Sequence, residues 1–211
     1  MTGRLLAVNV VHAVIPDVGG LNEQTAIDKR AVNGRVAVHA LGLEGDRQCD
    51  VHHGGVDQAV YAYAGEDAAW WAGEMGRTVE PGRFGENLTT SGVDVTGAVI
   101  GERWQVGTAE LQVRSPRIPC ATFQGFWGVP QLVRRFTEHG APGAYLAVLA
   151  PGELGAGDAV EVLDRPDHGL TIGAFFRGWT TEPDLLPAVA ACADVPVAAR
   201  RKAERRLSRR S

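Results

Sequence analysis

Short runs of alternating or β-branched residues, each broken by glycine or proline, constrain the fold of this chain more than any other feature. Seven such runs have the length and composition of strands: 4–11, 35–40, 86–90, 102–106, 109–115, 144–150 and 159–164. The 27 glycines and 11 prolines are spread along the chain rather than gathered in one linker, as turns between many strands require. The pattern predicts a mainly β (α+β) fold with a barrel-like core.

Two helices are expected to cover this sheet. The first is predicted from about Asp57, a candidate N-cap, to Glu74. The second is predicted from Pro130 to His139, because proline suits a first helical turn and Gly140 follows the end. Of the tryptophans, Trp70, Trp71 and Trp104 are predicted to lie in the core, and Trp127 is the best candidate for an aromatic that faces a substrate, although a core position is favoured for it too.

The composition changes after Pro166, where the chain becomes rich in alanine. Three helices are predicted there, at roughly 171–177, 182–192 and 196–208, with Thr171 and Thr181 as plausible caps. We therefore divide the chain into a main domain at residues 1–165 and a three-helix appendage at residues 166–211.

The end of the chain differs in charge from the rest. Residues 200–211 hold seven Lys or Arg and one acidic residue, a net charge of +6, so the overall charge of -4 leaves -10 on the other 199 residues. Such a basic segment can bind nucleic acid or a membrane surface. Cations also favour a helix C-terminus, and we prefer that interpretation to a nucleic-acid partner.

The cysteines and the apolar segments indicate a cytoplasmic location. Cys49, Cys120 and Cys192 are far apart and odd in number, which favours free thiols in a reducing compartment. Asn9 and His12 interrupt the first apolar stretch, so no signal peptide is expected. No window approaches the roughly 18 to 20 apolar residues that cross a bilayer.

The segment SPRIPC, residues 115–120, is the first candidate for chemistry. Pro116 and Pro119 each fix a backbone φ angle and so restrict where the neighbouring side chains point. Arg117 places a cation near Cys120 and favours the thiolate, the form that coordinates metals and attacks electrophiles. Taken alone, a single cysteine after a strand is more often a small buried hydrophobe.

A second candidate segment spans residues 41–63, where four glycines let the backbone turn sharply and approach a ligand. The polar side chains between these glycines could bind a heterocycle or a phosphate: Asp46, Arg47, Asp50, His52 and His53. Zinc binding by the two histidines is disfavoured, because adjacent extended residues point in opposite directions and no HExxH or CxxC motif accompanies them. A histidine that packs inside a turn is the alternative.

The third segment is PGRFGENLTTSG, residues 81–92. Arg83, Glu86 and Asn87 there suit recognition of a pterin edge and a phosphate. Equally, the Glu and Asn side chains could satisfy the backbone groups of a glycine-rich turn. Of the cations at 29 and 30, we expect Lys29 to lie in the site.

Together, the GLEGD…HHGG, FGENL and PRIPC blocks resemble the small stand-alone bacterial MOSC proteins, which are related to the C-terminal domain of molybdenum cofactor sulfurase. The resemblance runs from about Thr25 to Asp164. The helical segment that follows is similar to the appendage of the branch linked to detoxification of 6-N-hydroxylaminopurine.

The resemblance implies a barrel-like core and a molybdenum-pterin (molybdopterin) cofactor whose metal is bound by Cys120. It also places several residues in segments near that cofactor: Asp46, His53, Arg83, Asn87 and Arg117. The related enzymes reduce N-hydroxylated compounds, such as hydroxylated purine bases and amidoximes, by two-electron N–O cleavage. We therefore expect an oxidoreductase.

Such a cycle needs an electron donor. The chain has no GxGxxG loop and too few clustered cysteines for an iron–sulfur cluster, so we expect a separate flavin or iron–sulfur reductase as partner. Two alternatives stay open: a sulfur carrier that uses a Cys120 persulfide, and a cofactor-carrying protein without turnover.

Overall fold

The computed structural model describes residues 2–20, 22–49 and 54–209. The strands are β1 (Thr2–Pro16), β2 (Gln24–Ala31), β3 (Arg35–His39), β4 (Gly42–Leu43), β5 (Val60–Ala64), β6 (Leu88–Ser91), β7 (Arg103–Val106), β8 (Ala109–Pro116), β9 (Ala144–Ala150), β10 (Gly152–Gly155) and β11 (Ala159–Asp164). The α-helices are α1 (Gly65–Met75), α2 (Ala121–Trp127), α3 (Leu132–His139), α4 (Ile172–Trp179), α5 (Leu186–Ala191) and α6 (Val197–Ser208), and 3-10 turns lie at Val56–Gln58 and Pro183–Leu185.

Seven of these strands close into a barrel in the order β1, β11, β7, β8, β9, β5, β6 and back to β1. The closure depends on the length of β1, whose residues Thr2–Arg4 pair with β11 while its later part, Asn9–Pro16, pairs with β2. A closed ring of seven strands cannot be antiparallel throughout, and β5 and β6 form the parallel pair. The predicted mainly β fold with a barrel-like core is confirmed.

The barrel interior is filled by apolar side chains that alternate with outward-facing residues. In β8 every second residue from Ala109 to Val113 is buried, and in β7 Trp104 and Val106 are buried. This period of two is the signature of strands with one buried face. It explains why the sequence predicted these strands well.

The predicted helix from Asp57 to Glu74 is wrong in its first part, because Val60–Ala64 forms strand β5. All five residues of β5 are buried. Val60 belongs to the barrel interior, while Tyr61 and Tyr63 belong to an aromatic cluster outside it. A strand buried on both faces has no alternation, so its sequence resembles a buried helix.

Helices α1, α2 and α3 cover the barrel through this aromatic cluster. Four of its members, Trp71, Phe84, Phe123 and Phe136, are at most 1% exposed. The core prediction is confirmed for Trp71 and Trp104 but is wrong for Trp70. Trp70 is 44% exposed and stacks on His139 with 3.7 Å between ring centroids.

The three predicted C-terminal helices correspond to α4, to the 3-10 turn followed by α5, and to α6. The Thr171 hydroxyl caps α4 by accepting a hydrogen bond from the Ala174 amide at 3.1 Å. Thr181 does not cap the next helical segment, since Glu182 precedes the turn at Pro183 and provides no side-chain cap. The prediction of a separate appendage beginning at residue 166 stays a prediction.

Residues of these helices, including Ile172, Leu186 and Ala203, pack into the same apolar cluster as the barrel interior. Backbone hydrogen bonds also join the start of the C-terminal helical region to the loop before β7. The Ile100 amide donates to the Leu170 carbonyl, and the Ile172 amide donates to the Ala98 carbonyl, both at 2.9 Å. In the described ranges, no helix is long and apolar enough to cross a membrane.

Candidate functional site

A cleft on the outside of the barrel brings together parts of all three segments singled out in the sequence. Its walls come from β2, from the segment after β8, from the glycine-rich turn before β6 and from the residues around Gln58. The residues that line it include Gln24, Lys29, Arg47, Cys49, Gln58, Tyr61, Asn87, Arg117, Cys120 and Tyr145.

Cys120 is fixed at the junction between β8 and α2. Strand β8 ends at Pro116, and Pro116 and Pro119 are both buried. Cys120 then occupies the N-cap position of α2 with an extended backbone, and its carbonyl accepts a hydrogen bond from the Gln124 amide at 3.2 Å. The thiol is half-buried and lines the cleft. A rigid, accessible thiol is the arrangement that the two prolines predicted.

Arg117 lines the same cleft and is only 7% exposed. Its guanidinium lies over the rings of Phe123 and Tyr61, with 4.5 and 5.8 Å to the ring centroids. Among the described residues its Nη1 atom has no hydrogen-bond partner. An uncompensated buried cation costs several kcal/mol, so an anionic ligand in the cleft would offset this cost. The residues present therefore fit an anionic group beside the Cys120 thiol.

The charges along the cleft support this conclusion. Three cations line it, namely Lys29, Arg47 and Arg117, and none of the described lining residues is Asp or Glu. Arg47 is exposed, so it lies at the accessible part of the wall. A concave surface of one charge sign raises the local concentration of oppositely charged ligands, although the chain as a whole has a net charge of -4.

Lys29, Asp46 and Asn87 form a hydrogen-bonded network behind the cleft surface. The Asp46 Oδ2 atom accepts from Lys29 Nζ at 2.6 Å and from Asn87 Nδ2 at 2.8 Å, and its Oδ1 accepts from the Val11 amide at 3.1 Å. Burial lowers the pKa of Lys29, and the Asp46 carboxylate opposes that shift. The polar atoms of these predicted cofactor-binding residues are largely engaged with each other.

Asn87 is also the link between this network and the barrel. Its Oδ1 atom accepts from the Tyr61 amide at 3.0 Å, and its Nδ2 also donates to the Asn9 carbonyl at 3.2 Å. Both polar atoms of the carboxamide are thus used within the protein. None of these partners belongs to the glycine-rich turn, so Asn87 does not have the local role that the sequence offered as the alternative. Its contact with a cofactor stays a prediction.

Glu86, which is 1% exposed, does satisfy backbone groups of the glycine-rich turn, as the structural interpretation predicted. Its carboxylate accepts from the amides of Gly82 and Phe84 and from the Thr89 hydroxyl, at 2.7 to 3.0 Å. Burial raises the pKa of Glu86, and these hydrogen bonds oppose the shift. Gly82, with φ of +87°, lies so close to the Lys29 carbonyl that a Cβ atom would come within 2.6 Å of its oxygen. Glu86 therefore shapes the glycine-rich turn against β2.

The structure does not bring Arg83 into the cleft. The Arg83 guanidinium pairs with Asp28 at 2.7 Å and lies over the Phe126 ring at 4.4 Å, and Arg83 lines a separate hollow with Glu80. This geometry does not support a contact between Arg83 and the cofactor. Asp28 of β2 points away from the cleft, and Arg83 pairs with it there. His53 lies outside the described residues, as do Asp50 and His52.

Sequence reasoning missed several residues of the cleft wall. Tyr61 and Tyr145 line it with their rings 5.3 Å apart, and the Tyr61 hydroxyl donates to the Pro142 carbonyl at 2.8 Å. Gln58 lines it three residues after the Gly54–Gly55 pair, and that spacing was the available signal. Trp127 instead packs in the aromatic cluster at 5.4 Å from Phe84, as the favoured core interpretation predicted.

A second polar cluster lies away from the cleft, where ligand atoms of His168, Cys192 and Asp194 fall within 4.8 Å of one another. The His168 Nδ1 atom accepts from the Leu170 amide at 3.1 Å. A neutral ring then carries its proton on Nε2, which lies 3.0 Å from the Ile100 carbonyl oxygen. Because that proton occupies the position a metal would need, the cluster is better explained as a hydrogen-bonded junction.

The family model described as MOSC domain matches residues 50–161 of this chain. The protein YflK of Bacillus subtilis (strain 168) is 32% identical over 169 residues, which cover 80% of this chain and 76% of that protein. The protein YiiM of Escherichia coli (strain K12) is 33% identical over 67% of this chain and 65% of its own length. The chain belongs to the MOSC domain family.

A more distant relative is a much longer protein of Gibberella moniliformis (strain M3125 / FGSC 7600) named "Reductase". It is 31% identical over 67% of this chain, which spans only 26% of the fungal protein.

Solved structures extend the similarity to nearly the whole chain. The crystal structure of YiiM from Geobacillus stearothermophilus superimposes with a TM-score of 0.81 at 26% identity, covering 97% of this chain and 99% of that chain. YiiM from Escherichia coli gives a TM-score of 0.71 at 27% identity, covering 93% and 94%. The agreement includes the C-terminal helices, so this member of the MOSC domain family is related to YiiM and YflK.

Proposed function

We propose that this protein binds a molybdenum-pterin cofactor in the cleft and reduces N-hydroxylated compounds, such as hydroxylated purine bases and amidoximes. The observation that carries the proposal is the pairing of Arg117, a buried cation with an unpartnered Nη1, with the Cys120 thiol in one cleft. MOSC domains are associated with this cofactor. The fungal relative's name supports a reductase, although the chain spans only a quarter of that protein.

The residues of the cleft have distinct roles in this proposal. Cys120 supplies a soft thiolate ligand to the metal, and Arg117 holds the anionic part of the cofactor by charge-assisted hydrogen bonds. Arg47, exposed on the wall, attracts the anion during loading. Tyr61 and Tyr145 form the apolar part of the wall and exclude water from it.

When bound, the cofactor supplies the two electrons that cleave the N–O bond, and two protons balance the reaction as water and an amine or amidine leave. The electrons come from a separate flavin or iron–sulfur reductase. This partner class remains a proposal, as does the cytoplasmic location.

Turnover tests the proposal. Holo-protein from cells that make the cofactor is assayed on an N-hydroxylated base and an amidoxime with a reduced viologen as donor. We expect Cys120→Ala to lose more than about 100-fold in rate, since loss of groups that merely support a metal ligand costs about 10- to 100-fold. Cys192→Ala, a thiol outside the cleft, should keep the wild-type rate. Full turnover in Cys120→Ala would contradict the proposal.

A sulfur carrier is the second candidate, and one observation favours it: the exposed Cys49 lines the same cleft as Cys120. A persulfide on Cys120 would then have a second thiol nearby. Labile sulfane sulfur on metal-free wild-type protein, absent from Cys120→Ala, would support this function. Holo-protein that turns over no N-hydroxylated substrate with a strong chemical donor would instead favour a cofactor-carrying role.

A further inference from the structure

Arg114 of β8 joins three parts of the molecule through one guanidinium. Its Nε donates to Asp57 Oδ1 at 2.8 Å, and its Nη1 donates to the Asp194 carbonyl at 2.9 Å and to Gln112 Oε1 at 3.3 Å. The side chain is only 18% exposed. Hydrogen bonds that involve a charged group are stronger than those between neutral groups.

The first partner belongs to the wall of the cleft. Asp57 lies in the 3-10 turn Val56–Gln58, and the next residue, Gln58, lines the cleft. The second partner belongs to the C-terminal helices, because Asp194 lies in the loop between α5 and α6. Arg114 therefore connects the C-terminal helices to a wall of the site across the outside of the barrel.

The turn at Val56–Gln58 has little local support. It follows Gly54 and Gly55, whose φ angles are +82° and +83°, and no side chain in the described part of the chain caps it. Its one internal backbone hydrogen bond runs from the Gln58 amide to the Gly55 carbonyl at 3.0 Å. Glycine has more backbone freedom than any other residue, so contacts with neighbouring elements must fix the position of the turn, and the hydrogen bond from Arg114 to Asp57 is one of them.

Gln58 has an unused polar atom for a ligand. Its Oε1 is buried and has no hydrogen-bond partner in the described chain. A lone buried acceptor next to a cleft is stabilised when a ligand N–H group donates to it. Amidoximes, hydroxylated purines and pterins all carry such N–H groups.

We propose that Arg114 is a positioning residue for the cleft. It ties the turn to the loop between α5 and α6, so the C-terminal helices hold Gln58 where its carboxamide accepts from a ligand N–H group. The identity of that ligand rests on the proposed function, but the hydrogen bonds that Arg114 makes to Asp57 and Asp194 do not depend on it. Loss of these hydrogen bonds should therefore loosen the Val56–Gln58 turn even in protein without cofactor.

Hydrogen exchange of full-length protein tests the tie. We expect Arg114→Gln to accelerate exchange of the peptide covering residues 54–60 by roughly 10-fold, as local opening becomes easier. Arg103→Gln is the matched control, since Arg103 pairs with Glu110 at 2.6 Å and neither residue lines the cleft. Wild-type exchange of this peptide in Arg114→Gln would overturn the proposal.

Kinetics separates positioning from general destabilisation. Arg114→Gln should raise the substrate KM roughly 10-fold and leave kcat within about twofold, the pattern of lost binding rather than lost chemistry. Asp57→Ala removes the acceptor at a partly exposed position outside the barrel strands and should give the same pattern. The double variant should raise KM no more than the more damaging single variant does, because both substitutions break the same interaction. Additive effects would overturn the proposal.

The two proposals fail in different ways. If wild-type holo-protein turns over no N-hydroxylated substrate, the proposed function fails, and the exchange experiment still decides the role of Arg114. If turnover occurs but neither exchange nor KM responds to Arg114→Gln or Asp57→Ala, only the positioning role fails.

Discussion

At the scale of single residues, the site combines a few accessible groups with a larger set of buried polar residues that support them. The sequence predicted Cys120 and Arg117 from the two prolines around them, and both line the cleft. It also predicted Lys29, Asp46 and Asn87 as cofactor contacts, whereas their polar atoms bond mainly to each other. Contacts between residues 17 and 41 positions apart depend on the fold, so no local pattern could reveal them.

This network gives a prediction about stability. Asp46→Ala leaves the buried Lys29 ammonium without its partner and should lower the free energy of unfolding by about 3 kcal/mol or more. Lys29→Met should cost less, because Asp46 keeps its hydrogen bonds from Val11 and Asn87. Urea denaturation at pH 7 measures both. A larger loss in Lys29→Met than in Asp46→Ala would contradict this account of the network.

At the scale of elements, prediction succeeded where burial had a clear period. The strands with one buried face, β7 and β8, were found in place, and α3 was found within two residues of its start. Strand β5 was mistaken for helix because it is buried on both faces. Strand β2 and helix α2, which frame the cleft, were not predicted at all. Their sequences are short and mixed in polarity, and only their packing partners decide their structure.

The contact between α2 and the β1–β2 loop yields a second prediction. A Cβ atom on Gly125 would overlap the Val18 carbonyl oxygen, so Gly125→Ala should lower the free energy of unfolding by about 1 to 3 kcal/mol. Gly73→Ala in α1 is the matched control, because nothing lies within 4 Å of its Cβ position. That variant should be stabilised by up to about 1 kcal/mol. Thermal unfolding of both variants separates steric overlap from helix propensity. Equal changes in the unfolding temperature of Gly125→Ala and Gly73→Ala would contradict the packing described.

At the scale of the whole molecule, the barrel explains why residues distant in sequence share one cleft. Strand β1 pairs first with β11 and then with β6, and these two pairings close the barrel. The last part of β1 forms a hairpin with β2, which is one wall of the cleft. The sequence predicted a barrel-like core from its many short strands. The sequence could not predict the order of the strands. The parallel pairing of β5 with β6 and the pairing of β1 with β11 are not reflected in local composition.

The C-terminal helices show a similar limit. Their number and positions followed from alanine-rich composition and the Thr171 cap. Their packing into the apolar cluster of the barrel and their link to the cleft through Arg114 required coordinates. The appendage at residues 166–211 stays a prediction, and the structure shows that residues of these helices belong to the same apolar cluster as the barrel residues.

The measurement that tests the central claim most directly is the molybdenum content of purified protein, determined by elemental analysis. Wild type and Cys120→Ala are prepared in parallel from cells with confirmed cofactor supply, with Cys192→Ala as the control thiol. The account predicts near-stoichiometric molybdenum in wild type and Cys192→Ala and its loss in folded Cys120→Ala. Absence of molybdenum from wild type, or its full retention in Cys120→Ala, would contradict the assignment of Cys120 as the metal ligand.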